Sequence, residues 1–253
     1  MVSVLRTIVL IPSRLASTRL PGKPLASIGG EAMIVQVWRR AVAAAVGAVA
    51  VACEDEEIAQ AVEAAGGRAV MTKSGHPSGA DRIHEALEIL DPERTFDQVV
   101  NLQGDLPNIE PSAICRVLEP LNNNKTDIAT LAAEITDQKE VSDPNVVKVI
   151  AGLGPDTQVA RALYFTRAVA PAGDGPLWHH IGLYAYKREA LEKFVGLPPS
   201  KLEIRESLEQ LRALEAGLHI DVARVEMVPL GVDTPDDLIR ARQLFESDKM
   251  LGH

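Results

Sequence analysis

Short, unbroken apolar runs alternate with helix-patterned segments through the first half of the chain, and that rhythm limits the folds open to it. Thr7–Ile11 (TIVLI) is β-branched and continuous, as a strand buried on both faces should be. Helical spacing over Met33–Val46 leads to a second strand at Val46–Cys53, then a helix over Glu54–Ala65 closed by Gly66 and Gly67. A short strand at Arg68–Met71, a helix at Asp81–Leu90, a strand at Gln98–Leu102 and a helix at Pro111–Leu121 continue the pattern. Such β-α-β-α order predicts a parallel sheet with right-handed crossovers.

The second half is less regular. Ile128–Ile135, Val146–Ile150, Gln158–Ala168, Ile181–Lys187 and His219–Glu226 read as strands, and Gly152–Pro155 as a turn. Leu202–Ala216 reads as one amphipathic helix and Pro235–Phe245 as a terminal one. Met33, Trp38 and Leu211 fall at core positions. The expected organisation is a single domain over 1–253, with a subdomain inserted around 159–186.

Apolar residues are 46% of the 253 and aromatics only 4%, so the core must be aliphatic. A net charge of -9 argues against a general nucleic-acid binder. The two cysteines, Cys53 and Cys115, lack CxxC spacing and read as reduced core residues rather than a zinc site or disulfide. No stretch approaches the roughly 18 apolar residues of a membrane span, and no signal-peptide pattern opens the chain. The expected location is cytoplasmic.

Against that acidic background, Ile11–Gly30 (IPSRLASTRLPGKPLASIGG) holds Arg14, Arg19 and Lys23 and no acid. It begins where the first strand ends, the side of an α/β sheet at which ligands bind. Three cations there can neutralise a polyphosphate, and the glycines allow close backbone approach. The stretch is neither GxGxxG nor GxxxxGK[ST], which disfavours a nicotinamide dehydrogenase and a P-loop enzyme. Asp105, in VNLQGDLP, and Asp233, in VPLGVDTPDD, each follow a strand. Two such carboxylates can share Mg²⁺, a hard cation that takes oxygen ligands and keeps water and phosphate besides. The alternatives are a helix cap for Asp233, ahead of Pro235, and a turn for Asp105.

IPSRLASTRLPGKPL, HPSGADR, NLQGDLP, HHIGLYAYKRE, LEIRESLEQLR and GVDTPDDL, in that order, closely resemble the CMP-Kdo synthetase family, the 3-deoxy-manno-octulosonate cytidylyltransferases. The resemblance spans nearly the whole chain. It implies a Rossmann-like α/β nucleotidyltransferase fold of the nucleotide-diphospho-sugar transferase type. That fold has three layers, a mixed and mostly parallel sheet, and a small dimerisation and sugar-binding subdomain. It also implies a homodimer that joins CTP to 3-deoxy-manno-octulosonate (Kdo), with Mg²⁺ as cofactor and no nucleic-acid or membrane partner, for lipopolysaccharide biosynthesis.

Residue by residue, the resemblance implies that Arg14 and Lys23 contact the triphosphate while Ser17 and Arg19 shape the loop. Lys23 and Arg14 then serve in catalysis with Asp105 and Asp233, which hold the metal. Ser78, Gly79 and Arg82 match the cytosine-binding segment, with Gln103 near the base or ribose. Arg167, His180, Tyr184, Glu209 and Gln210 match sugar contacts. Two departures bear on this. Leu106 stands where many members have Glu, and Ala80–Asp81 stands where many have Thr-Glu. A cytidylyltransferase for a related acid sugar, such as 8-amino-Kdo, is a close alternative. A sialic acid enzyme would have an opening loop nearer RGGSKG. A catalytically inactive nucleotide-binding regulator is a further alternative, opposed by the presence of Lys23, Asp105 and Asp233.

Overall fold

β1 (Thr7–Ser13) is a deeply buried strand, with Val9, Leu10 and Ile11 fully enclosed. The computed structural model describes residues 5–16 and 19–251. It divides into two units, one of residues 1–114 with 229–253 and one of 115–228. The expected 159–186 insertion falls inside the second.

In the first unit, β1 is followed by a 3-10 turn (Lys23–Leu25), β2 (Ser27–Ile28), β3 (Glu31–Ala32) and α1 (Met33–Ala43). Then come β4 (Ala48–Cys53), α2 (Glu56–Ala64), β5 (Ala69–Met71), α3 (Gly79–Leu90) and β6 (Gln98–Asn101). The strand order is β5-β4-β1-β6. Every pairing is parallel, with Ile8 opposite Ala48 and Thr7 opposite Gln98. Continuous apolar strands suit such a sheet, because helices cover both its faces.

Helix ends follow local chemistry. Gly66 (φ 86°) ends α2, and the Gly67 amide donates back to Val62, closing the turn as a left-handed C-terminal cap does. Gly29 and Gly30 (φ 61° and 91°) form the tight turn between β2 and β3. A Cβ at Gly29 would collide with the Phe245 ring. Gly29 therefore serves close packing against Phe245, while Gly30 is required by its positive φ alone.

α4 (Pro111–Arg116) stops short of the expected Pro111–Leu121 helix. Pro120 has no amide hydrogen to continue it, and Glu119–Asn122 forms a separate 3-10 turn. Cys53 is buried as expected, but Cys115 is exposed because α4 buries Ala113 and Ile114 instead.

The second unit continues with β7 (Ile128–Glu134), α5 (Gln138–Ser142), β8 (Lys148–Ala151), β9 (Val159–Thr166), β10 (Trp178–Lys187) and α6 (Arg188–Val195). α7 (Lys201–Glu206), α8 (Gln210–Glu215) and β11 (Ile220–Val225) complete it. Its strands run β10-β7-β11-β9-β8, and β8 also pairs back onto β10. Only β7–β11 is parallel among these pairings. The antiparallel share is thus larger than the resemblance implied.

The expected Leu202–Ala216 helix is two helices. Ser200 and Glu203 form a capping box at the start of α7, and Ser207 ends it in the left-handed region (φ 55°, ψ 47°). The break is held from outside. The Glu206 carboxylate accepts from the Thr166 hydroxyl and the Arg167 amide, while Arg167 Nε donates to the Glu206 carbonyl at 2.8 Å. Helix propensity is a weak prior beside such contacts. Ser207 is exposed, so Ser207→Val loses little packing. Serine already bears the strain of the left-handed region, and the larger cost to a β-branched side chain should destabilise by about 1 kcal/mol. Denaturant unfolding of the two proteins measures it.

The last helix, α9 (Pro235–Leu251), belongs to the first unit and outruns its expected end at Phe245. Leu238 and Ala241 join Ile28, Met33 and Val232 in one apolar cluster. Among the described residues no helix is long and apolar enough to cross a membrane.

Candidate active site

The C-terminal end of β1 opens into a cavity of about 400 Å³ in the first unit, a size common for small-molecule sites. Arg14, Arg19 and Lys23 line it from the acid-free stretch. Ser78, Gly79 and Arg82 line it from α3, and Gln103, Asp105 and Asp233 from the loops after β6 and before α9. The structure thus brings together every nucleotide and metal candidate named above except Ser17, which lies outside the described residues.

Backbone geometry fixes these loops. Gly22 (φ 68°) begins the 3-10 turn that presents Lys23. A Cβ at Gly104 would lie 2.9 Å from the Pro12 carbonyl, so only glycine lets the Asp105 loop pass so close to β1. The Val232 amide donates to the Asp105 carbonyl at 2.9 Å, tying the two aspartate loops together.

Lys23 Nζ lies 2.9 Å from Asp105 Oδ2 and 3.1 Å from Asp233 Oδ1. Arg19 reaches the other oxygen of Asp233 at 3.0 Å. Desolvation works against the Lys23 charge, but attraction and hydrogen bonds from Asp105 and Asp233 outweigh it, and its pKa stands above the ordinary lysine value. Lys23 is therefore charged at neutral pH.

Asp233 does not cap α9. Thr234 does, its Oγ1 accepting from the Asp237 amide while Asp237 Oδ2 accepts from the Thr234 amide and hydroxyl. The reciprocal pattern is a capping box with Asp in place of Glu. It leaves the Asp233 side chain facing Lys23 and Arg19. Two carboxylates converging on a cation form a hard oxygen donor pair that fits Mg²⁺, with remaining positions for water and phosphate oxygens.

The wall before α3 rests on two carboxylates that the sequence did not single out. Glu85 accepts from the Lys73 amide at 2.9 Å and pairs with the His76 ring at 2.5 Å. Burial pushes its pKa up, but the His76 and Lys73 hydrogen bonds prevail and hold it below the usual glutamate value. Glu54 takes the Arg82 guanidinium at 2.6 Å, which with further attraction from Arg82 holds its own pKa low. Arg82 also donates to Thr72 and is 3% exposed, so it braces the wall. Ser78 caps α3 and donates to Asp81 at 2.7 Å, leaving the shortened acid as a local partner. Leu106 and Ala80, the departures from the family pattern, are buried core residues. Glu85 shares a helix face with Asp81, one turn away, and that spacing was the signal available in the sequence.

The five sugar candidates all lie in the second unit. His180 is 9% exposed, packs edge-on against Phe165 at 4.8 Å, and places Nε2 3.1 Å from Thr130 Oγ1. Tyr184 stacks at a tilt on His180, and burial with the charge of Glu209 pushes its phenol well above the usual value. Gln210 is 7% exposed, and its Nε2 has no hydrogen-bond partner among the described residues. Glu209 lies 3.7 Å from Arg212. Arg167 spends its guanidinium on the carbonyls of Glu206, Pro144 and Ser207, bracing the α7–α8 break.

Burial pushes the His180 pKa down to about 3, assisted by neighbouring His179. An unfolded histidine takes a proton near pH 6.5. Between those values the unfolded state binds more protons, so stability should fall as pH drops below about 6.5 and hold above it. Denaturant unfolding of wild type and His180→Asn at pH 7.5 and pH 5 measures this, with a shallower loss expected for the variant.

Comparison with known proteins gives the family and the fold. The cytidylyltransferase family model matches residues 8–220. A 3-deoxy-manno-octulosonate cytidylyltransferase of Methylobacterium radiotolerans is 63% identical over 244 residues, covering 96% of this chain and 98% of that one. One of Rhodopseudomonas palustris (strain HaA2) is 63% identical over 240 residues, covering 95% and 98%. A solved CMP:2-keto-3-deoxy-manno-octonic acid synthetase complexed with CTP superimposes with a TM-score of 0.88 at 38% identity, covering 96% of this chain and 99% of that one. A 4-diphosphocytidyl-2C-methyl-D-erythritol synthase of Anaerococcus prevotii, 14% identical with a TM-score of 0.63 over 95% of this chain and 99% of that one, shares the α/β fold. The chain is a nucleotidyltransferase belonging to the 3-deoxy-manno-octulosonate cytidylyltransferase family.

Proposed function

We propose that this chain transfers CMP from CTP to Kdo, releasing pyrophosphate, in an Mg²⁺-dependent reaction that serves lipopolysaccharide assembly in the cytoplasm. The observation that carries the reading is the convergence of Lys23, Asp105 and Asp233 in a cavity lined by an acid-free cationic stretch. The relatives' names supply the sugar.

In the proposed reaction, the anomeric hydroxyl oxygen of Kdo bonds to the α-phosphorus of CTP. The bond from that phosphorus to the bridging oxygen breaks, pyrophosphate leaves with its electron pair, and the hydroxyl proton passes to solvent. Phosphoryl-type transfer depends on positioning and charge neutralisation more than on covalent catalysis. Lys23, Arg14 and Arg19 supply cations to the triphosphate. The braced wall of Ser78 and Gly79, with Gln103, receives the base. Asp105 and Asp233 would hold Mg²⁺, which when bound offsets charge developing on phosphate oxygens. Arg167, His180, Tyr184, Glu209 and Gln210 are the proposed sugar-binding residues. The unpartnered Gln210 amide supports that assignment. Exposed Leu163 and Ile204 in the second unit support the proposed homodimer.

The test is pyrophosphate release with CTP and Mg²⁺, comparing Kdo, 8-amino-Kdo and no sugar. Release with Kdo that stops on chelation is expected. Release with only the amino sugar reassigns the substrate, and CTP binding without release points to the regulator. Glu85→Gln should weaken CTP binding about tenfold, the equivalent of one charged hydrogen bond. At saturating CTP its turnover should match wild type. Calorimetric titration alongside initial rates separates the two effects.

A further inference from the structure

Four charged groups meet at one end of the cavity. Asp105 and Asp233 carry two negative charges, and Lys23 and Arg19 carry two positive ones. The local sum is zero. Lys23 is the inner cation, with its side chain 15% exposed and its ammonium within 3.1 Å of both carboxylates. Arg19 is the outer one, 66% exposed, and among the described residues pairs with Asp233 and not with Asp105.

We propose that Lys23 is a displaceable counter-ion: its ammonium holds the position between Asp105 and Asp233 that a divalent cation takes, so the cation enters with the nucleotide and not before it. This rests on the reading of the two aspartates as metal ligands. A dication held between the two carboxylates would take the oxygens, Asp105 Oδ2 and Asp233 Oδ1, that the ammonium now holds. A dication arriving alone would also leave the balanced group with two surplus positive charges. A nucleotide triphosphate changes both conditions. Its phosphates give Lys23 and Arg19 new partners, and its own charge offsets that of the metal. The lysine is long and unbranched and stands on a short 3-10 turn after a left-handed glycine, so its ammonium can swing between partners while the turn stays in place.

The consequence runs against the usual effect of losing a catalytic residue. Lys23→Met removes the charge and keeps the volume, so without nucleotide it should bind Mn²⁺ more tightly than wild type. Mn²⁺ serves as the probe because free and bound ion are counted directly by electron paramagnetic resonance. The expected gain is about tenfold or more, limited by Arg19, which still neutralises Asp233. Adding Asp233→Asn to Lys23→Met should return affinity to the wild-type level. Lys23→Gln, which keeps a hydrogen-bonding chain end, should show the same gain and covers poor folding of the Met variant.

Lys23 variants that bind Mn²⁺ no better than wild type would overturn the proposal. If pyrophosphate release by wild type still needs Mg²⁺ and still weakens in Asp233→Asn, the site reading survives that result. If release is indifferent both to metal and to Asp233→Asn, the metal-site reading fails and the counter-ion role fails with it.

Discussion

Lys23→Ala is expected to lower kcat about a thousandfold, the upper range for removing one donor aimed at developing charge. The fold should hardly notice. The partners are partly solvated, Asp105 at 32% exposure and Asp233 at 45%, so water replaces much of what the ammonium gave them. Ion pairs of that kind contribute up to about 1 kcal/mol. A rapid-quench measurement of pyrophosphate formation with a thermal unfolding scan therefore separates a catalytic lysine from a structural one. Unchanged kcat would remove Lys23 from the reaction. A collapsed Tm would recast it as a brace between the Asp105 and Asp233 loops.

Asp233→Asn carries the second large effect, and it decides between the two roles open to an aspartate before Thr-Pro. As a metal ligand, Asp233 contributes a charge that Asn lacks. Losing even an outer partner of a metal site costs about 10- to 100-fold in affinity, so half-saturating Mg²⁺ should rise at least about tenfold. As a cap, Asn would replace Asp with little loss. The hydrogen bonds already place the cap on Thr234, so Thr234→Ala is the paired control. It should cost about 1 kcal/mol of stability and leave the Mg²⁺ requirement alone. A magnesium titration of initial rates, run on both variants beside wild type, gives the answer. An unchanged requirement in Asp233→Asn would leave Asp105 without its proposed partner.

Much of the cavity at the end of β1 was legible in the chain. Local strand signals place Thr7–Ile11, Val46–Cys53 and Gln98–Leu102 close to β1, β4 and β6. Because a parallel sheet aligns its strand ends, residues just past those strands meet without a contact being known. Arg14, Lys23 and Asp105 were found that way. Asp233 was visible as a candidate, though not as a side chain freed from capping, since the Thr234–Asp237 exchange depends on how the helix entry is oriented.

The second unit was less legible. Leu202–Ala216 has helical periodicity throughout, and nothing local marks Ser207 as a break. The break exists because Thr166 and Arg167, some forty positions away, hold Glu206 and its carbonyls. Likewise Arg167 could be matched to a sugar contact, while its engagement with three backbone carbonyls emerges only when β9 and the 144 loop are in place. Glu54 carries no local mark of a role and Glu85 only its spacing from Asp81, because Arg82 and His76 meet them only in the fold.

The division has a physical basis. Strands, helix faces and the charge of a loop are set by neighbours within a few residues, so sequence alone determined the parallel α/β half, the cationic stretch and the acidic strand ends. Which charge pairs with which is settled by distances across the fold. Only the tertiary structure decided that Lys23 stands between two aspartates 82 and 210 positions away.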